Sequence, residues 1–389
     1  MKGRIRVLEL RSVRGTGGGP EKTIMFGALE RNRPRIEVTV CYLRDRRDRV
    51  FRLEQRAVDL GIDYVEVLER HSFDWRVWPQ LRAIVQERGI DIIHSHDYKT
   101  DLLALLLARR SGRIPLATAH GWTGQTARER WVYYPNDKRL LARFPRVIAV
   151  SSDIARELEQ YGAVRDRITV ILNAIDSDRF RRSPGSRLAA RTSLGLDNRH
   201  VVIGAVGRLE RQKRFDLLLQ ACAPLLQSRS DRRLAIVGDG SLKLTLERLA
   251  TDLGIRSACL FLGHRDDVVD VYQAFDLLVQ SSEYEGTPNV VLEGMAMETP
   301  LVATDVGGTR ELAVPDAHAL VVPRGDVEAL RRAIERTLAD PDAARARAVS
   351  ARQRVEAELS FSARTRRLEQ VYEELARDRT PHLTPVRHA

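Results

Sequence analysis

Short aliphatic runs recur along this 389-residue chain, each followed by a stretch of helical spacing, and this alternation constrains the fold more than any other feature. Strands joined through helices lie parallel and are covered on both faces. The pattern therefore predicts an α/β chain with a doubly wound parallel sheet in each half. In the first half the expected strands are Ile5–Leu10, Glu37–Leu43, Tyr64–Val67, Ile90–His94, Leu116–Thr118, Arg146–Val150 and Ile168–Ile171, and Asn173 closes that half. Arg181–Gly195, polar and rich in Arg and Ser, reads as a linker and the first helix of the second half. Strands are expected there at Val201–Val206, Arg233–Val237, Cys259–Phe261, Leu277–Gln280, Leu301–Thr304 and Ala319–Val322. The length exceeds one ordinary core and fits two domains of fewer than about 200 residues each.

Composition narrows the function classes. Cys41, Cys222 and Cys259 are odd in number and far apart, which argues against a disulfide framework and against a zinc site. The apolar run at the N-terminus is cut by Glu9 and Arg11, so it reads as a strand rather than a signal peptide, and Leu102–Ala108 is far too short to span a bilayer. A cytoplasmic location is expected. The net charge of +11 points to anionic company. Nucleic acid is the weakest candidate, because the cations are scattered and no reading motif accompanies them.

The segment Ser281–Ala296 carries the most chemistry. A short strand runs into a loop holding Glu285, Pro288 suits the first turn of a helix, and Glu293 follows on that helix eight residues later. Two carboxylates can then touch separate parts of one extended ligand, with helix-start N–H groups between them to receive an anion. A sugar diphosphate offers both hydroxyls and phosphates. Upstream, Val201–Val206 leads into a loop with Arg208 and Lys213, a planar fork and a flexible point charge that together suit a diphosphate.

With these motifs the chain resembles the retaining glycosyltransferases of family 4, and the resemblance covers nearly its whole length. Further matches are Gly17-Gly18-Gly19-Pro20-Glu21-Lys22, His120-Gly121, Val150-Ser151, Asn173-Ala174-Ile175-Asp176, Val237-Gly238-Asp239-Gly240, Leu262-Gly263-His264 and Val306-Gly307-Gly308-Thr309-Arg310-Glu311. Ala174 stands where Gly is usual and Gly294 where Ala is usual. The resemblance implies a GT-B fold, two Rossmann-like domains facing a central cleft. Residues 1–178 would bind the acceptor and 179–359 the nucleotide sugar. The last helical pattern, Val355–Arg377, would cross back onto the first domain, giving it a helix over about 360–379, and the tail 380–389 is expected to be disordered.

The resemblance also implies residue roles. Arg208 and Lys213 would stabilise the leaving diphosphate. Glu285 would bind donor-sugar hydroxyls with Gly286, Thr287, Pro288 and Asn289, while amides at Val290 and Val291, with Gly18 and Gly19, would approach the diphosphate. Glu293 would accept from the ribose, with Gly263, His264 and Arg265 bordering the base. His120 follows a mid-domain strand at its carboxyl end, where ligands of such sheets bind, and would contact the donor sugar.

Other motifs are set aside. The loop Gly15–Glu21 fits neither dinucleotide nor P-loop fingerprints. His94-Ser95-His96-Asp97 suggests a metal, but its histidines are expected on opposite faces of a strand, so none is assigned; His96, Asp97 and Lys99 remain candidates for the acceptor cleft. Asp176-Ser177-Asp178 lies in a linker, and no metal or other cofactor is expected. The basic run Arg44-Asp45-Arg46-Arg47-Asp48-Arg49, with Arg128, Arg130, Trp131, Tyr133, Tyr134, Lys138, Arg139 and Arg143, is read as a peripheral contact with the anionic cytoplasmic face of the inner membrane. The expected function is transfer of a hexose-type sugar from a nucleotide-diphosphate sugar to a lipid-linked or glycan acceptor in bacterial surface or exopolysaccharide assembly. The alternatives are a GT-B-type sugar-nucleotide epimerase and a catalytically silent nucleotide-binding partner subunit.

Overall fold

The computed structural model describes residues 4–13, 15, 19–31, 34–71, 74–122, 131 and 133–378. The expectations placed on Gly17, Gly18, Arg128, Arg130 and the tail 380–389 lie outside these residues. The chain divides into two compact units, Met1–Asn173 with Phe361–Ala389, and Ala174–Ser360.

The first unit is built on seven parallel strands, β1 (Ile5–Val13), β2 (Ile36–Asp45), β3 (Tyr64–Glu69), β4 (Ile92–Ser95), β5 (Ile114–Ala119), β6 (Arg146–Ala149) and β7 (Ile168–Val170), in the order β3-β2-β1-β4-β5-β6-β7. β1 is hydrogen-bonded on both sides, Leu8 opposite Thr39 of β2 and Ile93 of β4. That double burial is why Val7, Leu8 and Leu10 form an almost continuous apolar run, with Glu9 as its one charged member. The strand order reverses between β1 and β4, and at such a switch point the carboxyl ends open a crevice for ligands.

The second unit repeats the plan with β8 (Val201–Val206), β9 (Arg232–Val237), β10 (Cys259–Phe261), β11 (Leu277–Gln280), β12 (Leu301–Thr304) and β13 (Leu320–Val322), ordered β10-β9-β8-β11-β12-β13. Its switch point falls between β8 and β11. The loops carrying Lys213 and Glu285 leave those two strands.

Two boundaries differ from the sequence reading. The helix expected from Val355 is two: Pro341–Arg354, extended by a π-helical turn at Val355–Leu359, and Phe361–Asp378. Between them Ser360 is extended (ψ 157°), because the Leu359 carbonyl leaves the helical pattern to accept the Ile175 N–H at 3.0 Å. The second helix belongs to the first unit. Its Phe361 stacks on Phe26, ring centroids 4.7 Å apart, and Leu368, Val371, Tyr372 and Leu375 are buried with Val7, Ile24 and Ile148.

The other difference lies in the segment read as linker and first helix, which does hold a helix, Ser186–Ser193, but is fixed in place by its arginines. Arg182 there donates to the carbonyls of Met297, Gln273 and Phe275 at 2.8, 2.9 and 2.8 Å. Arg191 is fully buried and paired with Asp276 at 2.5 Å. Both serve as internal braces of the second unit.

Candidate functional site

At the switch point of the second unit, three glycines let the strand ends approach closely. Gly207 donates to the Val237 carbonyl at 2.9 Å, and Gly238 donates to that of Gly263 at 2.8 Å. A Cβ on Gly238 would lie 1.9 Å from the Gly207 oxygen, so only glycine fits. The stem of Lys213 lies over Gly207, 3.5 Å from the position a Cβ would take. Its ammonium is ion-paired with Glu285, a contact between side chains only 18% and 9% exposed. Ser282 donates to the same carboxylate at 2.7 Å, and Gln212 anchors the loop by donating to the Tyr284 carbonyl at 2.9 Å. The loop is also held from behind. Gly308 donates to the Gly286 carbonyl at 2.8 Å, and at Gly307 (φ 51°) a Cβ would fall 2.1 Å from the Glu285 oxygen. The Gly307-Gly308 pair thus acts as a seat for Glu285.

Glu293 sits on the helix Asn289–Ala296, for which Pro288 is the cap rather than the first turn. Tyr272 donates to it at 2.7 Å. Burial and the Glu293 charge push the Tyr272 hydroxyl well above its ordinary pKa, so it stays a donor. Val291 already donates to the Pro288 carbonyl at 3.1 Å, which weakens its expected role as an anion amide. Gly294 has its reason in packing: a Cβ there would meet the Leu278 side chain at 2.5 Å. Arg208 is exposed and, among the described residues, has no ion-pair partner. Arg265 pairs with Asp267 at 2.5 Å, His264 is exposed beside Asp266, and Gly263 (φ 67°) turns the chain between them and β10.

In the first unit a cavity of about 140 Å³ is lined by Arg11, Tyr98, Asp101, His120, Trp122 and Asp137, among others. It lies at the carboxyl ends of β4 and β5. A larger hollow, about 240 Å³ and lined by Arg6, Glu37 and Arg88, lies at the amino ends, away from the crevice such sheets use. Trp122 donates to Asp137 at 2.9 Å and Ser95 to Asp101 at 2.5 Å. Burial raises both carboxyls, Asp137 to about 6. Asp97 caps the helix Tyr98–Ser111, accepting from Lys99 and Thr100 at 3.0 and 3.1 Å, and Lys99 pairs with Glu69. Gly19 opens the helix Gly19–Glu30, where its carbonyl accepts from Thr23.

One sequence argument is overturned. Residues two apart on a strand share a face, and His94 and His96 lie with ring centroids 4.4 Å apart. With Glu9 they form a buried group whose ligand atoms lie within 4.8 Å of one another. The geometric ground for setting the metal reading aside therefore falls. The signal was legible, a lone acid inside the apolar strand β1. Gln212, Ser282 and Tyr272 were missed as well, for their roles come from contacts across the sheet end. The basic run is partly neutralised, Arg44 by Glu66 at 3.1 Å and Arg47 by Asp45 at 2.9 Å. No helix among the described residues is long and apolar enough to cross a membrane.

The paired parallel-sheet architecture is the GT-B fold. The Anabaena protein Alr3699/HepE, solved with UDP, matches at a TM-score of 0.81 with 20% identity, covering 95% of this chain and all of the other. A Rickettsia africae glycosyltransferase also matches at 0.81, with 19% identity over 96% of this chain and 99% of that one. Residues 186–354 match the family described as glycosyl transferases group 1, and residues 18–179 match glycosyltransferase family 4. A provisionally named glycosyltransferase, EpsD of Bacillus subtilis, is 31% identical over 72% of this chain and 76% of its own length. D-inositol 3-phosphate glycosyltransferase of Gordonia bronchialis is 36% identical over 67% of this chain and 62% of its own. The chain belongs to the group 1 glycosyltransferases of family 4 and is a glycosyltransferase.

Proposed function

We propose that the chain transfers a hexose-type sugar, with retention and without a metal, from a nucleotide-diphosphate sugar to an acceptor hydroxyl. The observation that carries this reading is the second-unit switch point. There Lys213 is fixed against Glu285, Glu285 is seated by Ser282 and Gly307, and Arg208 is free among the described residues. Negative charge develops on the leaving diphosphate in the transition state. Arg208 and Lys213 would stabilise it there, and loss of such a group typically costs roughly two to three powers of ten in rate. Glu285, with Gly286 to Asn289, would orient the donor sugar through its hydroxyls, and His120 would accept from another. Glu293, held by Tyr272, would accept from the ribose, with Gly263, His264 and Arg265 beside the base, while Val290 and Gly19 would approach the phosphates.

A nucleotide-sugar donor is further supported by the Anabaena neighbour, solved with UDP and with UDP-glucose. A glycan or lipid-linked acceptor in surface polysaccharide assembly is supported by Rhizobium meliloti LpsB, a lipopolysaccharide core mannosyltransferase 28% identical over 71% of this chain. Peripheral contact with an anionic cytoplasmic membrane face remains part of the reading, resting on exposed Trp131 and on exposed Arg46 and Arg49, which have no ion-pair partner among the described residues. The test is release of free nucleotide diphosphate from UDP-glucose, UDP-N-acetylglucosamine, GDP-mannose and ADP-glucose, with and without a membrane lipid extract. Release from one donor, abolished in Arg208→Ala, is expected. Isomerised donor without an acceptor would favour an epimerase, and nucleotide binding without turnover a silent partner subunit.

A further inference from the structure

Beneath His120 runs a buried chain of polar groups that the roles above do not use. Glu9 is 5% exposed, His94 is fully buried and His96 is 4% exposed. The His96 Nε2 faces Glu9 Oε2, and the His96 Nδ1 lies 3.1 Å from His120 Nε2. On the other side, His94 Nδ1 lies 3.2 Å from Glu9 Oε1 and 2.8 Å from the Tyr372 hydroxyl, and His94 Nε2 lies 2.7 Å from the Thr118 hydroxyl. Tyr372 donates to Glu9 Oε1 at 2.7 Å.

Counting protons fixes the tautomers of His96 and His120. Burial acts to raise the Glu9 carboxyl, but His94 and His96, through charge and the hydrogen bonds they donate, hold it well below the usual range, so it is ionised and only accepts. Each ring nitrogen facing it must therefore carry a proton, which places N–H at His94 Nδ1 and at His96 Nε2. A neutral imidazole has one N–H. Burial pushes His96 down to about 4 and His120 well below its ordinary value, with the cations Arg11 and Arg364 acting in the same direction at His120. His96 Nδ1 is then bare and accepts from His120, whose proton must sit on Nε2. The last atom in the chain is His120 Nδ1, a bare lone pair that is buried and has no partner among the described residues.

We propose that Glu9 and His96 are positioning residues that lock His120 in its Nε2–H tautomer, so that Nδ1 presents a lone pair to a hydroxyl group of the ligand. The tautomer rests on the hydrogen-bond geometry together with an ionised Glu9 and a neutral His96; that the hydroxyl belongs to a sugar rests on the glycosyltransfer reading. An acceptor-only nitrogen selects its partner. It receives a hydroxyl and rejects a phosphate or carboxylate oxygen, which brings no proton to share. Glu9, His94 and His96 could instead hold a metal ion, but that would require the ring nitrogens facing Glu9 to give up their protons and Glu9 to exchange three donors for one cation.

Nitrogen-15 NMR of the full chain without substrate reads the tautomer directly, and so separates failure of this inference from failure of the functional reading. The expected spectrum shows His120 protonated at Nε2 and bare at Nδ1, unaltered by a chelator or by one equivalent of zinc. A proton on Nδ1, or stoichiometric zinc uptake at Glu9, His94 and His96, would overturn the proposal. In His96→Phe the tautomers should mix, and kcat/KM with the accepted donor should fall about tenfold, the value of one hydrogen bond. His96→Gln should restore both, because its amide still donates toward Glu9 and its carbonyl still accepts from His120. A Gln variant as impaired as the Phe variant would also refute the relay, and the wild-type and Gln spectra decide the matter even where the Phe variant does not fold.

Discussion

Replacing Lys213 with Met isolates the charge of the Lys213–Glu285 pair, because Met keeps much of the aliphatic stem that packs over Gly207. Removing one partner of a buried ion pair costs about 3–5 kcal/mol, most of it from the charge left behind. Two features reduce that here. Lys213 is 18% exposed, so water partly replaces it, and Ser282 still donates to Glu285 at 2.7 Å. The expected loss is therefore about 2–3 kcal/mol. Its origin is tested by Lys213→Met combined with Glu285→Gln, in which no unpaired carboxylate remains and the double variant should recover about 1–2 kcal/mol. All four tryptophans, Trp75, Trp78, Trp122 and Trp131, lie in the first unit, so their fluorescence does not report on this site. Native-state amide exchange across β11 and the helix Asn289–Ala296 is the suitable assay. A double variant whose loss equals the sum of the two single losses would refute the argument.

The contribution of His96 to the stability of the first unit should be lost with acid earlier than ordinary carboxylates dictate. His96 titrates near 4 when folded against about 6.5 unfolded. The unfolded chain therefore takes up a proton first, and stability is lost as pH drops from about 6.5 to 4, by up to about 3 kcal/mol. His120 adds in the same direction, and Glu9, depressed when folded, adds its loss only below the ordinary carboxylate range. Asp101 and Asp137, raised by burial, act the opposite way, so tryptophan-monitored urea unfolding between pH 7 and 5 is compared between the wild type and His96→Gln, and parallel profiles would contradict the His96 contribution. Gly307→Ala should lower both stability and turnover, since its Cβ would fall 2.1 Å from the Glu285 oxygen at a left-handed φ; a variant with wild-type melting and kcat would show that the seat is not needed.

The sequence alone was sufficient for the architecture. Strands buried on both faces must be apolar throughout, and β8, β10, β11 and β12 were legible to the residue for that reason. It also located the loops and the helix that carry Arg208, Lys213, Glu285 and Glu293, because these residues follow strands that periodicity finds. What it could not supply were contacts between residues far apart in the chain. Arg182 and Arg191 lie in a segment read only as linker and first helix, yet they satisfy carbonyls and a carboxylate contributed some ninety residues away. The helix break at Ser360 follows from a bridge to Ile175, and nothing local to Ser360 announces it. Glu9, His96 and His120 come from three strands or strand ends, so their alignment depends on the register of β1 against β4 and of β4 against β5. Sequence sets which groups are available and how each local segment folds. Tertiary packing alone decides which buried donors meet which acceptors, because that pairing is imposed by the cost of leaving any of them unsatisfied away from water.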